Sequence, residues 1–155
     1  MALFSCSGGK KQSEFPVFEL DCLLAVAEQE LDNTVTVVGY VTHTCKHSGK
    51  RCFIIGESQK ATMRVEAAGD IGGFSADLVG SKLAITGVVQ ERRLSEEFIS
   101  QMEKDVHARM EEDGSAETCA AELSNIGDMR NWMKERGKDY YAIYFMDGLS
   151  FDVLD

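Results

Sequence analysis

Apolar residues recur at every second position along much of the stretch from residue 34 to residue 94, which is the spacing of strands that bury one face. Polar or glycine-rich turns divide this stretch into four segments with high β-propensity. They cover residues 34–45, 52–57, 61–68 and 82–94. The pattern predicts an antiparallel β-sheet in this part of the chain.

Two other stretches place their apolar residues at helical spacing. The first predicts an N-terminal helix over about residues 18–30, and the second predicts two helices over about residues 95–136. Ser95 is a good N-cap for the second stretch, and two glutamates follow it at the positive end of the helix. A break between the two helices is expected near residues 111–114.

The end of the chain has the pattern of a β-hairpin. Residues 140–145 and 150–154 alternate between apolar and polar side chains, and Asp147-Gly148 between them is a typical two-residue turn. The first of these strands is placed to close a barrel formed by the four earlier strands.

The two longest predicted strands each carry one glycine, Gly39 and Gly87, inside an otherwise apolar run. A glycine in a strand often marks a bulge or a bend, and small barrels need such bends to close. The order of long strand, hairpin, third strand, short helix and second long strand resembles that of the OB-fold. The alternatives are another small antiparallel barrel or an open α+β sheet.

We therefore predict a mainly β protein with helical insertions, built on an OB-fold-like five-stranded antiparallel β-barrel. An N-terminal helix precedes the barrel, and two helices precede its closing strand. Residues 1–17 are predicted to be a flexible tether, and residues 18–155 a single domain with its insertion at about 95–136.

These patterns of hydrophobic residues and glycines over residues 18–154 resemble small bacterial cell-envelope proteins with an anticodon-binding-like OB domain. Leu3-Phe4-Ser5-Cys6 resembles the end of a bacterial lipoprotein signal, in which the cysteine is lipidated. A signal also needs an apolar stretch of roughly 7–15 residues, so this interpretation requires a truncated start. It implies a lipid-anchored protein of the bacterial cell envelope; otherwise the protein is expected in the cytoplasm.

Charge is distributed unevenly along the chain. The net charge of −10 is unfavourable for binding nucleic acid. Residues 34–94, however, hold eight basic and five acidic side chains, a local balance of +3 against −13 elsewhere. The predicted barrel is mildly basic and its flanks are strongly acidic, for which surface solubility is the simpler explanation.

One cluster of cysteines and histidines surrounds the first predicted hairpin. His43, Cys45, His47 and Cys52 are residue types that bind zinc, and alternate residues share one face of a strand. Three outcomes are open for the two cysteines: a cross-strand Cys45–Cys52 disulfide, a metal site, or free thiols in the barrel core. The first two exclude each other, because oxidised sulfurs are poor metal ligands.

The same hairpin gathers basic side chains. In OB domains, the loop between the first two strands and the face of the second and third strands hold the ligand. Basic residues there suit phosphate contacts, and aromatic residues suit stacking on bases. The candidate ligand-binding residues are Lys46, Lys50, Arg51, Arg64, Phe53 and Tyr40.

Motifs of common enzyme classes are absent from the sequence, including the P-loop, the nucleophile elbow and the dinucleotide fingerprint. The sequence therefore predicts a non-enzymatic OB-fold binding module of unknown ligand, tethered at the cell envelope through Cys6. A domain that binds single-stranded nucleic acid is the first alternative. A Cys/His metal-binding module with zinc is the second, and no other cofactor is expected.

Overall fold

The computed structural model describes residues 15–113 and 116–154 of the chain. Within these residues the protein has two compact units. The barrel unit lies within Met1–Glu91 and Tyr144–Asp155, and the helical unit is Arg92–Ile143.

Within residues 15–113 and 116–154, six strands and three α-helices follow one another. The strands are β1 (Val17–Glu19), β2 (Thr34–Thr44), β3 (Arg51–Ile55), β4 (Thr62–Ala67), β5 (Lys82–Ser95) and β6 (Tyr140–Val153). The α-helices are α1 (Leu20–Ala25), α2 (Glu96–Asp113) and α3 (Ala116–Arg136), and 3-10 helices form at Ala27–Glu30 and Ala76–Leu78. No helix among the described residues is long and apolar enough to cross a membrane.

Five of the strands close a barrel. Strand β2 pairs with β3, β3 with β4, β4 with β6 and β6 with β5, and β5 returns to pair with β2. The prediction of a mainly β, OB-like barrel with helical insertions is confirmed. The barrel is mixed rather than wholly antiparallel, because β6 runs parallel to β4. Strand β1 adds a further parallel pairing on β2.

The core of the barrel is apolar and closely filled. Alternate residues of each strand point inward, as shown by Ile54 on β3, Val65 on β4 and Ile85 on β5, each with no exposed surface. Leu20 and Leu23 of α1 are equally buried and belong to the same cluster. Burying each such side chain contributes about 1.5–3 kcal/mol of transfer free energy, which ties α1 to the barrel.

Both glycines of the long strands allow neighbouring strands to approach closely. A Cβ atom on Gly39 would lie 3.2 Å from the Ile55 carbonyl oxygen, and one on Gly87 would clash with the backbone of Asp147 and Gly148. The irregularity of β2 falls between Val41 and His43, so Gly39 itself is not the bulge that the sequence suggested.

The predicted helix over residues 18–30 is wrong in its bounds. Phe18 belongs to β1, where it pairs with Val37, and α1 ends at Ala25. The residues that follow continue as the short 3-10 helix. Val17-Phe18-Glu19 forms a strand instead of the start of a helix. Its pairing with β2 supplies the backbone hydrogen bonds that a helix would otherwise make.

The predicted turn at Asp147-Gly148 is also wrong, because β6 continues through both residues. Their register partners on β4 are Glu66 and Ala67. Gly148 is buried, and a Cβ atom there would lie 2.9 Å from Val65 Cγ1. A turn signal is read from local preference, and the close packing of β6 on β4 overrides it here.

The helical unit is built on the predicted helices. The Ser95 hydroxyl accepts a hydrogen bond from the Phe98 backbone N–H at 3.1 Å, which confirms the N-cap. An apolar seam joins α2 and α3 through buried Ile99, Val106 and Ile126. The predicted break begins later than expected, since α2 extends to Asp113.

Candidate functional site

Four planar side chains lie side by side on the outer face of the barrel, and we call them the planar row: His43, Phe53, Arg64 and Phe145. They come from β2, β3, β4 and β6, and each is in register with the next across the strands. The His43 and Phe53 rings are stacked, with centroids 4.4 Å apart and planes at 19°. The Arg64 guanidinium lies 4.2 Å from the centroid of the Phe145 ring.

The local sequence explains why these side chains point outward. On β3 and β4, Cys52, Ile54, Met63 and Val65 fill the core, so the residues between them face away from it. Phe53, Arg64 and Phe145 are half-buried, and His43 is exposed. An aromatic pair and a cation–aromatic pair therefore stand on the surface of the barrel.

Glu66 holds the arginines of this face. Its Oε2 accepts a hydrogen bond from Arg51 Nε at 2.8 Å and lies 2.6 Å from Arg64 Nε. The second contact is an ion pair without hydrogen-bond geometry, and Arg64 Nε is the only buried side-chain polar atom among the described residues without a hydrogen-bond partner. One carboxylate thus positions two guanidinium groups.

A second row lies next to the planar row, and we call it the polar row: Arg51, Glu66, Asp147 and Gln90. Glu66 and Asp147 are register partners on the parallel strands β4 and β6. Gln90 of β5 donates a hydrogen bond from Nε2 to Asp147 Oδ2 at 3.3 Å. On β3, β4 and β6 the two rows are two residues apart along the strand, about 7 Å.

The turn between β2 and β3 is braced from the side. Gly49 adopts a φ of 67°, which favours glycine, and its carbonyl oxygen accepts a hydrogen bond from the Phe74 N–H at 2.6 Å. Lys50 Nζ donates to the Gly72 carbonyl oxygen at 2.8 Å. Lys46 and His47 remain exposed at the tip of the turn. The basic turn is therefore a fixed feature beside the planar row.

Tyr40 lies outside the planar row. Its hydroxyl donates a hydrogen bond to Glu57 Oε2 at 3.1 Å, and Lys82 Nζ lies 5.6 Å from the centroid of its ring. These contacts orient Tyr40 towards Glu57 and Lys82.

Cys45 and Cys52 are both free thiols. Cys52 points into the core and has no exposed surface, while the backbone N–H of Cys45 bonds to Arg51 at the end of the ladder and its side chain is half-buried. Cys52 is the register partner of Thr44, the residue before Cys45. Because consecutive residues of a strand face opposite sides, the sulfurs of Cys45 and Cys52 do not face each other. The structure contains no Cys45–Cys52 disulfide, and Cys52 has the third predicted outcome, a free thiol in the core.

The two thiols have opposite acidities. Hydrogen bonds from the Ser48 hydroxyl and from the backbone of Ser48, His47 and Gly49 lower the pKa of Cys45 to about 7. Burial alone raises the pKa of Cys52 to about 12. Cys52 is therefore a neutral core side chain at physiological pH, and Cys45 is a partly ionised surface thiol.

The four predicted zinc ligands do not converge in the described structure. His43 is stacked on Phe53, and Cys52 faces the core. Among residues 15–113 and 116–154, no group of three or more His, Cys, Asp or Glu side chains has metal-site geometry. Zinc binding by His43, Cys45, His47 and Cys52 stays a prediction. The predicted lipidation site, Cys6, lies outside the described residues.

The structure brings together only part of the predicted ligand set. Phe53, Arg64 and Arg51 share one face, and His43, which the sequence placed in a metal site, joins them. The sequence interpretation missed Phe145, Glu66 and Asp147. The alternation of residues 61–68 and 140–145 could have indicated which of their side chains face outward. The turn predicted at Asp147 ended the strand too early and concealed the pairing of β6 with β4.

No family model and no curated protein matches the chain. One solved structure with detectable likeness is an aspartyl-tRNA synthetase from Leishmania major, at 14% identity and a TM-score of 0.35. The match covers 54% of this chain and only 18% of the synthetase. The class of protein follows from the strand order, which is that of an OB-like barrel.

Proposed function

We propose that the protein is a non-enzymatic OB-fold module that binds single-stranded nucleic acid on the planar row. The observation that carries this proposal is the alignment of His43, Phe53, Arg64 and Phe145 in one register across four strands. OB domains hold their ligands on this face and on the adjoining loops. Side chains of the kind that stacking requires thus lie on this face, which supports the proposal.

Stacking supplies the main attraction in this proposal. Every base has a π-face, and proteins bind unpaired bases on aromatic rings or on the plane of an arginine guanidinium. Within the pairs His43–Phe53 and Arg64–Phe145, one face of each planar group is covered by its partner, so a base would stack on the opposite face. Each stacked base contributes about 1–3 kcal/mol, so two bases would give a useful affinity with few phosphate contacts.

The basic turn beside the row supplies the phosphate contacts. Lys46, Lys50 and Arg51 are exposed there. About three phosphate contacts to a single strand give a slope of log affinity against log salt of roughly −2, which is shallow. The proposal therefore predicts modest salt dependence, consistent with a net charge of −10 on the whole chain.

Replacing the Phe53 ring tests the proposal directly. The variant Phe53→Leu keeps an apolar side chain on β3 but removes the stacking surface. With a labelled single strand of about eight nucleotides, we expect fluorescence anisotropy to show roughly 5-fold to 100-fold weaker binding. Titrations at about 50 and about 200 mM salt separate stacking from charge, since the Phe53→Leu loss should persist at both concentrations.

Ile55→Leu is the matched control, because Ile55 is another half-buried outward side chain of β3. It should bind like the unmodified protein, and thermal unfolding should show that both variants fold. Full affinity in a folded Phe53→Leu variant, or no binding by the unmodified protein at low salt, would refute the proposal.

A further inference from the structure

The polar row offers hydrogen-bond acceptors next to the stacking surface. Glu66 and Asp147 lie side by side on β4 and β6, each two residues beyond a member of the planar row on the same face. Both are half-buried. A base stacked on the planar row would direct one edge towards these carboxylates, at the distance that separates alternate residues of a strand, about 7 Å.

Each carboxylate keeps one oxygen available. Glu66 uses Oε2 for both Arg51 and Arg64, and Asp147 uses Oδ2 for Gln90. Within the described part of the chain, neither Glu66 Oε1 nor Asp147 Oδ1 accepts a hydrogen bond. The contacts already made fix the orientation of the two groups, so their remaining oxygens form a preorganised pair of acceptors.

We infer that Glu66 and Asp147 make the site select cytosine and adenine, whose exocyclic amino groups donate hydrogen bonds, over thymine or uracil. This inference rests on the proposed function. An ionised carboxylate accepts a hydrogen bond from the amino group of cytosine or adenine. Thymine and uracil present carbonyl oxygens at the corresponding position, which a carboxylate repels and leaves unpaired.

The size of the preference follows from the hydrogen bond. A well-placed side-chain contact to a base edge discriminates against the wrong base by a factor on the order of 10 or more. Asp147 is the better residue to change, because Glu66 also holds two arginines, whereas an asparagine at position 147 can still accept from Gln90. The asparagine amide donates to carbonyl oxygens and accepts from amino groups, so it does not distinguish the two kinds of base.

The experiment compares three single-stranded homopolymers of about eight nucleotides, of deoxycytidine, deoxyadenosine and thymidine. The unmodified protein should bind the first two on the order of 10-fold more tightly than thymidine. In Asp147→Asn this ratio should fall to roughly 3-fold, because Glu66 remains, and the change should come chiefly through tighter binding of thymidine. Asp70→Asn is the control, because it removes an exposed charge of the barrel unit and should change all three affinities by the same factor.

The possible outcomes separate this inference from the function on which it rests. Equal binding of all three strands would refute the base preference and leave the stacking site intact. A preference that Asp147→Asn leaves unchanged would refute the role of Asp147. If no strand binds to the folded, unmodified protein, the proposed function fails and the base preference fails with it.

Discussion

The barrel unit and the helical unit bury their apolar side chains in different ways. In the barrel unit, seventeen of the described residues form a buried hydrophobic cluster, and many have no exposed surface. In the helical unit, six described residues form the buried cluster, and the residues packed against it are only partly covered. The barrel encloses its core, whereas the two helices share a narrow seam.

Ion pairs supplement the seam of the helical unit. Arg130 of α3 bonds to Glu96 and Glu103 of α2, with its shortest contacts at 2.8 and 3.0 Å. Arg109 forms a two-pronged pair with Glu122 at 3.0 and 3.1 Å. Surface pairs of this kind contribute little each, so a unit with a thin core and many pairs should open more readily than the barrel. The difference suggests that the barrel is the rigid scaffold and the helical hairpin the softer element.

The largest effect should come from the same deletion made in each unit. Ile85→Ala in the barrel should lower the free energy of unfolding by about 3–4 kcal/mol, because the surrounding strands cannot collapse into the cavity. Ile126→Ala in the seam should cost about 2 kcal/mol, because partly exposed neighbours such as Leu123 and Met129 can move into the space. Denaturant unfolding measures the first value.

The cost of Ile126→Ala in the helical unit can be measured by hydrogen exchange with peptide mass spectrometry. Ile126→Ala should reduce protection in α2 and α3 and leave the barrel strands β2–β4 unchanged. Equal loss of protection in those strands would show that the two units open together, and the contrast between them would not hold.

A smaller effect should follow from removing the central arginine of the helical unit. Arg130→Gln should cost about 1 kcal/mol, since the carboxylates it contacts are largely exposed, and salt near 1 M should reduce the difference. Lys104→Gln, an exposed lysine of α2, is the matched control and should have no measurable effect. Hydrogen exchange in the helical unit, at low and high salt, provides the measurement.

The ion pair between Arg130 and Glu96 predicts how the stability of the helical unit changes with pH. Hydrogen bonds from Arg130 and Ser100 lower the pKa of Glu96 below its ordinary value. A carboxyl group whose pKa is lowered by folding contributes stability above its unfolded pKa and loses it as the pH falls through the folded value. The difference between the unmodified protein and Arg130→Gln should therefore shrink on acidification below pH of about 4. A difference that grows under acid conditions would contradict this assignment.

The fold could be predicted from the sequence because strand order and alternation are local patterns. The four strands from Thr34 to Leu94 and the two helices lie close to their expected bounds. The errors at Phe18 and at Asp147-Gly148 share one cause, since both segments pair in parallel with a strand distant in sequence. No local signal reports such a pairing, and at Asp147 the local turn preference opposed it.

The candidate site could be predicted only in part, for a related reason. Phe53, Arg64 and Arg51 follow from alternation on neighbouring hairpin strands. Phe145 and Asp147 join them only through the parallel register of β6 on β4, which becomes visible in the barrel. The sequence places His43 in a metal site because it lies two residues before Cys45, on the same face of a predicted strand. Its stacking on Phe53 depends on the irregularity between Val41 and His43, which the sequence does not show.

Three cysteines of the described residues are outside any disulfide and offer a probe of the same contrast without perturbing stability. Cys45 is in the exposed turn, Cys52 in the barrel core and Cys119 in the seam of the helical unit. Peptide mass spectrometry after alkylation of the native protein can follow each separately. Cys45 should react first, with a rate that rises through a midpoint near pH 7, because hydrogen bonds from Ser48 and its backbone neighbours lower its pKa to about 7.

The relative alkylation rates of Cys52 and Cys119 test whether the helical unit opens more readily than the barrel unit. Both thiols are fully buried, so each can react only when its surroundings open. Because the seam should open at lower free energy than the barrel, Cys119 should be alkylated faster than Cys52. Ile126→Ala should accelerate Cys119 and leave Cys52 unchanged, and Ser48→Ala should slow only Cys45 at neutral pH by raising its pKa. If Cys52 reacts as fast as Cys119, the barrel opens as readily as the helical hairpin, and a rigid binding face on β2, β3, β4 and β6 loses its physical basis.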